Sequence, residues 1–462
     1  MAHQPHARGR GEGQGPALTA PGETIAAIAT PPGRGGIGVV RVSGGKCREV
    51  ARAVVGEVPP PRHAHLAHFR CADGEVIDQG LAIFFPAPHS YTGEDVLELQ
   101  GHGGPMVLRE LLARCVELGA RLAQPGEFTR RAFLNDRLDL AQAESVADLI
   151  DASSVEAARS AARSLAGVFS SRIHELVAQL VELRAHVEAC IDFPEEEIDP
   201  EDRRAQDRRL ERLLELLGKL LAEATQGAVL REGLTVVLVG RPNVGKSSVL
   251  NRLAGEEVAI VTPIAGTTRD YVRATVSLEG VPIHLIDTAG LRDAADEVER
   301  IGVERAWAAV RSAGAIMFID VAEDEAHADL GLQGRLPEGV PMARVVNKID
   351  LSGAPAGRSD SDEGTILHIS ARTGTGIAEL RGWLLEVAGW QPHGEGLFMA
   401  RERHLVALRE ARALLVSAAS QQAFELKAED LRLTQAALGR ITGEVSADDL
   451  LGEIFGRFCI GK

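Results

Sequence analysis

One stretch decides the fold of this chain: Gly240-Arg241-Pro242-Asn243-Val244-Gly245-Lys246-Ser247-Ser248. It follows the apolar run 234–239 and precedes residues 249–253, a pattern that predicts a buried strand, a glycine-rich turn and a helix. Such a turn surrounds a polyphosphate with backbone N–H groups, and the helix N-terminus adds partial positive charge. Lys246 can reach the β- and γ-phosphates, and the Ser247 hydroxyl can bind Mg²⁺. The stretch therefore predicts a nucleotide site in an α/β domain.

Three later motifs indicate which nucleotide is bound. They are Asp287-Thr288-Ala289-Gly290, Asn347-Lys348-Ile349-Asp350 and Ser370-Ala371-Arg372, each after an apolar strand. Asp287 can hold the metal through water, and the Gly290 N–H can meet the γ-phosphate. Asp350 can accept hydrogen bonds from guanine N1–H and N2–H₂, a pattern that adenine does not offer. Because ligands bind at the carboxyl edge of a parallel sheet, the motifs together predict GTP as the substrate.

Composition and charge exclude several classes of protein. A length of 462 residues predicts several domains. The net charge is −16, so the chain does not rely on nonspecific nucleic-acid binding, and any RNA contact must be local or shared with a partner. The five cysteines are scattered without a CxxC pair, which argues against a disulfide framework or a zinc site and for a reducing compartment, the cytoplasm. No apolar run is long enough to span a membrane.

The fold class predicted is multidomain, α/β plus all-α, with a Ras-like α/β GTP domain inserted into a helical domain. The predicted segments are a disordered extension at 1–20, an N-terminal α+β domain at 21–136, helices at 137–232, the GTP domain at 233–391 and more helices at 392–462.

Two details of this prediction concern glycines. The glycine-rich stretch 100–104 is interpreted as a turn. Gly227 and Gly233 are interpreted as ending the helix before the phosphate-loop strand.

The residue that activates water is not evident from the spacing. In Ras-like enzymes a Gln directly after the DxxG glycine orients the attacking water, whereas this chain has Leu291 there. A leucine side chain neither donates nor accepts a hydrogen bond, so catalysis must come from elsewhere. The candidates in the following stretch are Arg292, Asp293, Asp296, Glu297, Glu299 and Arg300.

From about residue 22 to its end the chain resembles the MnmE (TrmE) family of tRNA-modification GTPases. Besides the GTP motifs, the matching stretches are Pro32-Gly33-Arg34-Gly35-Gly36-Ile37-Gly38, Ser90-Tyr91-Thr92-Gly93-Glu94-Asp95, Pro125-Gly126-Glu127-Phe128-Thr129 with Arg131-Ala132-Phe133, Leu138-Asp139-Leu140-Ala141-Gln142-Ala143-Glu144 and the terminal Cys459-Ile460-Gly461-Lys462. The GTP motifs fit many GTPases, but the N-terminal signatures and the terminal motif are specific to this family.

The resemblance implies that the N-terminal domain dimerises and binds folate. With an FAD-dependent partner, MnmG (GidA), in a heterotetramer, the family adds an aminomethyl or carboxymethylaminomethyl group at C5 of the wobble uridine of certain tRNAs. The one-carbon unit comes from 5-formyltetrahydrofolate or a related tetrahydrofolate. Carried over, the folate-binding residues are Arg41, Glu98, Arg137 and Lys462. Cys459 would lie near the one-carbon unit as a catalytic candidate, acting as a nucleophile or only packing there.

The family resemblance also implies activation of GTP hydrolysis by K⁺ when two GTP domains meet. The K⁺ ligands would be Asn243, Thr262, Ile264 and Thr267, the Mg²⁺ ligands Ser247 and Thr268, and the residue positioning water Glu299. A monovalent cation beside the phosphates neutralises transition-state charge as an arginine finger does. The full set of GTP-binding candidates is Asn243, Val244, Gly245, Lys246, Ser247, Ser248, Thr262, Thr267, Thr268, Asp287, Thr288, Ala289, Gly290, Asn347, Lys348, Asp350, Ser370, Ala371 and Arg372.

Two functions of other classes compete with this one. A ribosome-assembly GTPase shares the nucleotide motifs but needs a basic RNA-binding appendage, which the sequence does not show. A folate-dependent transferase with merely regulatory GTP binding would work without GTP hydrolysis. An assay of tRNA modification with and without each cofactor separates these alternatives.

Overall fold

The computed structural model describes residues 22–192, 200–255, 273–287, 313–321, 339–361, 364–391, 396–444 and 448–461. The chain divides into two compact units. The N-terminal unit comprises the chain up to Asp139 together with its end from Ser446, and the central unit is Leu140–Val445. The predicted extension 1–20 lies outside the described residues. Among the helices that are described, none is long and apolar enough to cross a membrane.

The N-terminal unit is built on a six-stranded sheet with the order β3-β4-β5-β2-β1-β6. Its elements are β1 (Ile25–Ile28), β2 (Gly35–Ser43), α1 (Cys47–Val55), β3 (His65–Arg70), β4 (Val76–Phe85), β5 (Val96–Gly103), α2 (Pro105–Glu117), β6 (Arg121–Leu122) and α3 (Glu127–Leu134). Only β1 and β6 pair in parallel among these strands. Phe69, Phe84 and Leu111 are fully buried in the core between the sheet and the helices α1 and α2.

The predicted turn at residues 100–104 is wrong, because β5 continues to Gly103. The glycines here admit a close approach of neighbouring strands instead of a chain reversal. A Cβ on Gly80 of β4 would lie 2.1 Å from the carbonyl oxygen of Gln100, and one on Gly103 would lie 2.6 Å from that of Gly35. Glycine spacing alone did not distinguish these two uses.

The prediction assigns residues 392–462 to the helical domain, whereas the end of the chain from Ser446 belongs to the N-terminal unit. The last helix, α13 (Asp448–Gly456), explains this grouping through its aromatic contacts. The Phe455 ring lies 6.3 Å from that of Phe133 on α3 and 5.6 Å from that of Phe458.

The helical part of the central unit surrounds an aliphatic core with one stacked aromatic pair. Its helices are α4 (Leu140–Asp151), α5 (Val155–Leu165), α6 (Val168–Asp192), α7 (Pro200–Glu232), α11 (Glu402–Ser420) and α12 (Phe424–Thr442). The rings of Phe169 and Phe398 stack with centroids 4.6 Å apart. Long helices with periodic apolar faces, as the sequence predicts, supply this core.

Gly227 does not end α7, so this part of the prediction is wrong. A Cβ at Gly227 would lie 2.0 Å from the carbonyl oxygen of Phe398, and the glycine therefore makes room for a passing chain. Gly233, with φ of +65°, directly follows the helix, which confirms the other half of the prediction. One residue before Gly227, the Gln226 amide donates to the carbonyl of Gly389 and accepts from the N–H of Gln391, both at 3.0 Å.

The GTP domain is built on a seven-stranded sheet with the order β12-β13-β11-β10-β7-β9-β8. Its elements are β7 (Leu234–Val239), α8 (Lys246–Gly255), β8 (Arg273–Leu278), β9 (Val281–Asp287), β10 (Ala315–Val321), β11 (Met342–Asn347), α9 (Ile349–Ser352), β12 (Gly357–Ser361), β13 (Gly364–His368) and α10 (Ile377–Val387). The five strands from β13 to β9 in this order are parallel, so their carboxyl ends share one edge. The predicted fold class, α+β plus all-α plus parallel α/β, is confirmed.

Candidate functional site

The phosphate-binding loop joins β7 to α8 and has the backbone geometry that an anion site needs. Gly245 has φ of +101° and Asn243 has φ of +64°, both in the left-handed region that glycine and asparagine tolerate. Helix α8 begins at Lys246, so its first N–H groups face the loop. The Lys246 ammonium donates to the carbonyls of Gly240 and Arg241 at 2.9 and 3.0 Å. The cation is therefore held over the loop.

Asn347 joins the phosphate-binding loop to the loop after β13. This residue is the last of β11 and is buried. Its side-chain amide donates to the carbonyl of Val244 at 3.0 Å, and its side-chain oxygen accepts from the N–H of Ala371 at 3.0 Å. A Cβ on Gly245 would lie 2.3 Å from the same Nδ2 atom. The phosphate-binding loop and the motifs at 347–350 and 370–372 thus meet at one side chain.

The residues predicted to recognise the base also lie together. The Ser370 hydroxyl donates to Oδ1 of Asp350 at 2.7 Å, which leaves Oδ2 as a further acceptor on the carboxylate. Lys348 has φ of +64°, and its ammonium donates a hydrogen bond to the carbonyl of Asn243 at 2.7 Å. This lysine therefore links the base side of the site to the phosphate side.

Several predicted site residues lie outside the described part of the chain. They are Thr262, Ile264, Thr267, Thr268, Thr288, Ala289, Gly290, Glu299 and Lys462. Asp287 is the last residue of β9, whose carboxyl end lies at the same sheet edge as the phosphate-binding loop. Ser247 and Ser248 are in the first turn of α8.

The second candidate cluster belongs to the N-terminal unit. Arg41 on β2 is directly opposite Glu98 on β5, and its guanidinium contacts the Glu98 carboxylate at 2.9 Å. The same guanidinium lies 5.5 Å from the centre of the Tyr91 ring, within the range of a cation–π interaction. It also donates to the carbonyl of Gly461 at 3.4 Å. The structure thus brings two of the predicted folate residues together with the described end of the chain.

The terminal segment 459–461 lies beside the loop that precedes α3. The N–H of Gly126 donates to the carbonyl of Cys459 at 3.4 Å, while the Cys459 side chain is exposed. Gly461 has φ of +98°, and a Cβ there would lie 2.4 Å from the carbonyl oxygen of Ile28. Only glycine fits this close approach, which explains the glycine of the terminal motif.

Arg137 lies beside the loop that carries Tyr91. A Cβ on Gly93 would be 3.3 Å from Cγ of Arg137, and the Asn135 amide donates to the carbonyl of Thr92 at 2.7 Å. Tyr91 and Gly461 were not among the predicted folate residues, although both belong to motifs that the sequence singled out. Membership of those motifs is the sequence feature that could have identified both residues as candidates for the folate site.

A buried ionic cluster holds α4 against the start of α11. Glu144 accepts from Arg403 Nε and Nη2 at 2.8 and 2.7 Å, and Oε2 lies 3.0 Å from His404 Nε2. One helical turn later, Asp148 accepts from Arg231 Nε at 2.9 Å and from Arg401 Nη2 at 2.8 Å. Spacing gave no sign of this cluster, since its members come from three distant helices and a linker.

The electrostatics of this cluster follow from burial and charge. Burial favours the protonated acid at Glu144, yet His404 and Arg403 hold its pKa far below the ordinary value. Burial lowers the pKa of His404, and the Arg403 charge lowers it further. The ring accepts the N–H of Arg401 at Nδ1, at 3.1 Å, so the proton of the neutral ring is on Nε2, which faces Glu144.

Comparison with known proteins shows similarity over most of this chain. The family model described as "MnmE helical domain" matches residues 140–459, and "GTP-binding protein TrmE N-terminus" matches residues 24–137. The "tRNA modification GTPase MnmE" of Aromatoleum aromaticum is 57% identical over 442 residues, covering 95% of this chain and 98% of that protein. The protein of the same name from Ralstonia nicotianae is 59% identical over 457 residues, covering 95% and 96%.

Proposed function

The chain belongs to the MnmE family of tRNA-modification GTPases, and from this premise we propose that it couples GTP hydrolysis to modification of the wobble uridine of certain tRNAs. The observation that carries the proposal is the meeting of three motifs at Asn347, which contacts both the phosphate-binding loop and the loop after β13. Lys246 supplies the cation for the phosphates, and Asp350 supplies the acceptors for guanine.

The N-terminal cluster supports a folate site in the same protein. The Glu98 carboxylate can accept hydrogen bonds from ring N–H donors, and the Tyr91 ring with the Arg41 guanidinium offers a flat surface for a heteroaromatic ring. Arg137 and Lys462 would add cations for the anionic part of 5-formyltetrahydrofolate or a related tetrahydrofolate. Bound there, the folate supplies a one-carbon unit, which the FAD-dependent partner MnmG and this chain would add at C5 of uridine.

Assembly and metal use follow the same proposal. A homodimer joined with MnmG would act in the cytoplasm on tRNA. Ser247 on α8, with Thr268, would hold Mg²⁺, and Asn243 with Thr262, Ile264 and Thr267 would hold K⁺. Glu299 would position the attacking water. Each cation would stabilise negative charge that develops on the phosphates.

The test of the proposed function is reconstitution of wobble modification. The purified chain, MnmG, tRNA, GTP and the folate are combined, and nucleosides of the digested tRNA are identified by mass spectrometry. Omission of GTP, folate or either protein is expected to stop formation of the modified uridine. Modification that continues without GTP hydrolysis would favour the transferase alternative, and GTP hydrolysis stimulated by ribosomal particles would favour the ribosome-assembly alternative.

Guanine specificity is expected to depend on Asp350. In Asp350→Asn, the side-chain oxygen can still accept from Ser370, so an NH₂ group faces the donors of guanine. Loss of a charged acceptor predicts GTP binding weaker by about 10- to 100-fold, with xanthosine triphosphate now preferred. Competition binding with the two nucleotides measures this change, and an unchanged preference would contradict the assignment.

Hydrolysis is expected to be faster in K⁺ than in Na⁺, because Leu291 cannot orient water and Asn243 lies at the proposed cation position. Asn243→Gly removes the side-chain amide without strain at φ of +64°, and the backbone carbonyl that accepts from Lys348 remains. We expect this variant to lose the K⁺ effect and to keep guanine binding. Steady-state phosphate release in the two salts measures it; equal wild-type rates would refute the K⁺ site.

Cys459→Ser is expected to stop tRNA modification while GTP hydrolysis and folate binding continue. The carbonyl of residue 459 still receives the Gly126 N–H, so the backbone of the segment stays in place, but a hydroxyl is far less nucleophilic than a thiolate. Deleting residues 459–462 should additionally weaken folate binding. Cys71→Ser, at another cysteine of the N-terminal unit, is the matched control. Normal modification by Cys459→Ser would exclude a required chemical role for the thiol.

A further inference from the structure

Arg252 links the helix of the phosphate-binding loop to the loop that meets the base. It lies on α8, six residues after Lys246, which places it about 9 Å further along the helix axis. Its Nε donates to the carbonyl of Ala371 at 2.9 Å, and its Nη2 donates to the carbonyl of Arg372. One guanidinium therefore binds two successive carbonyls of a loop 119 residues away in sequence.

These two carbonyls belong to peptide groups with defined N–H directions. A trans peptide is planar, and its C=O and N–H point in opposite directions. When Arg252 holds the carbonyl of Ala371, it also sets the direction of the Arg372 N–H on the opposite side. The next peptide is fixed in the same way, because the Arg372 carbonyl binds Arg252 and the Thr373 N–H donates to the Ser370 hydroxyl at 3.2 Å.

Other contacts fix the neighbouring amides of this loop. The Ala371 N–H donates to Asn347, and the Gly374 N–H donates to the carbonyl of Ser370 at 2.9 Å. Within the described ranges, the backbone N–H of Arg372 donates to no protein acceptor. It is thus a backbone donor, next in the chain to residues held by Asp350 and Asn347, that remains for a ligand. An oxygen acceptor on the base is the matching group.

We propose that Arg252 is a positioning residue for guanine recognition, aiming the Arg372 N–H at the 6-oxo group of the base. The proposal rests on the proposed GTPase function and adds a specificity role to a side chain that does not touch the nucleotide. Lys246 and Arg252 lie on the same helix, so α8 connects the phosphate-binding loop to the loop that meets the base. Arg is suited to this task because its planar fork fits two carbonyls at once.

The test uses the full-length chain and three nucleotides that report on different contacts. GTP offers the 6-oxo acceptor, 6-thio-GTP replaces it with sulfur, which is a weak acceptor, and ITP lacks the 2-amino group that Asp350 reads. Arg252→Met keeps side-chain length and removes both donors. Arg358→Met is the matched control, because Arg358 on β12 forms ion pairs with the exposed carboxylates of Asp360 and Glu386.

For Arg252→Met we expect GTP to bind about tenfold more weakly, since one hydrogen bond loses its alignment. Binding of 6-thio-GTP should change by less than about twofold, so the preference for GTP over 6-thio-GTP is largely lost. The preference for GTP over ITP and the turnover number at saturating GTP should stay as in the wild type. Arg358→Met should leave all three affinities unchanged.

Two results would overturn the role of Arg252. Equal weakening of all three nucleotides would show general loosening of the site, and unchanged affinities would show no role in base recognition. If the methionine variant does not fold, Arg252→Lys replaces it, because lysine keeps the charge but lacks the planar fork. This variant should show an intermediate preference for GTP over 6-thio-GTP. A full wild-type preference would refute the proposal. Absence of GTP binding by the wild type would instead refute the proposed function.

Discussion

Gly245→Ala is expected to weaken GTP binding by at least about 100-fold. The backbone at this position has φ of +101°, which costs an L-residue about 1–2 kcal/mol. The new methyl carbon would also lie 2.3 Å from Nδ2 of Asn347. Asn347 would have to move, and its hydrogen bonds to Val244 and Ala371 would be lost together. The substitution therefore disturbs both the phosphate loop and the base loop.

The measurement is equilibrium binding of a fluorescent GDP analogue, with circular dichroism to monitor folding. Gly255→Ala is the matched control, because Gly255 is the last residue of α8 and a Cβ there meets no atom within 4 Å. The control should bind nucleotide as the wild type does. Near-normal binding by Gly245→Ala would mean that the loop does not need this glycine, and the assignment of the site would have to be abandoned.

Glu144→Ala is expected to lower the free energy of unfolding by about 3–5 kcal/mol. Glu144 is 1% exposed, and its removal takes the carboxylate away from the buried ring of His404 and from Arg403, which keeps the carbonyls of Arg440 and Ile441. Breaking an ion pair at a buried carboxylate costs far more than an exposed ion pair contributes. Glu410→Ala is the control, because the Glu410–Arg440 pair is at the surface. Chemical denaturation of both variants measures the difference.

The same cluster predicts how stability depends on pH. The folded-state pKa of His404 is lowered, so the unfolded chain binds the proton first, and stability falls as the pH drops below the ordinary histidine value of 6.5. The folded-state pKa of Glu144 is also lowered, so its contribution is present above the ordinary value of 4.5 and is lost in stronger acid. Both groups therefore act in the same direction. Glu144→Ala removes the carboxylate contribution, so its stability should fall less steeply than that of the wild type below about pH 4.5, and an identical profile there would contradict the assignment.

Sequence patterns predicted that the described GTP motifs follow parallel strands, because each motif is local. Each motif is a few residues after an apolar strand, and parallel strands carry their carboxyl ends to one edge whatever the rest of the chain does. The contacts that fix the motifs to each other are not local. Arg252 binds carbonyls 119 and 120 residues away, and Arg403 binds Glu144 across 259 residues, so no spacing rule could predict either contact.

Glycine was the residue type most often misjudged, for a physical reason. The absence of a Cβ permits either a chain reversal or a close approach between two backbone segments, and the sequence shows a glycine in both cases. Gly227 inside α7 and Gly103 inside β5 are close approaches, whereas Gly233 ends a helix. Deciding between these uses requires the partner backbone, which comes from a distant part of the chain.

The contacts of Gln226 bear on how this chain tolerates an inserted domain. Gln226 lies in α7, the helix that leads to β7, and its amide is hydrogen-bonded to Gly389 and Gln391, which follow α10. An insertion whose exit is hydrogen-bonded to the helix that leads into it closes a loop, and the entropy of loop closure grows only logarithmically with the length of the insertion. The entropy of loop closure therefore depends only weakly on the length of the inserted domain. Changes in the length of its surface loops therefore place little strain on these helices, whereas removal of the whole domain would expose Ala157, Ala161 and Leu230, which are buried in its core.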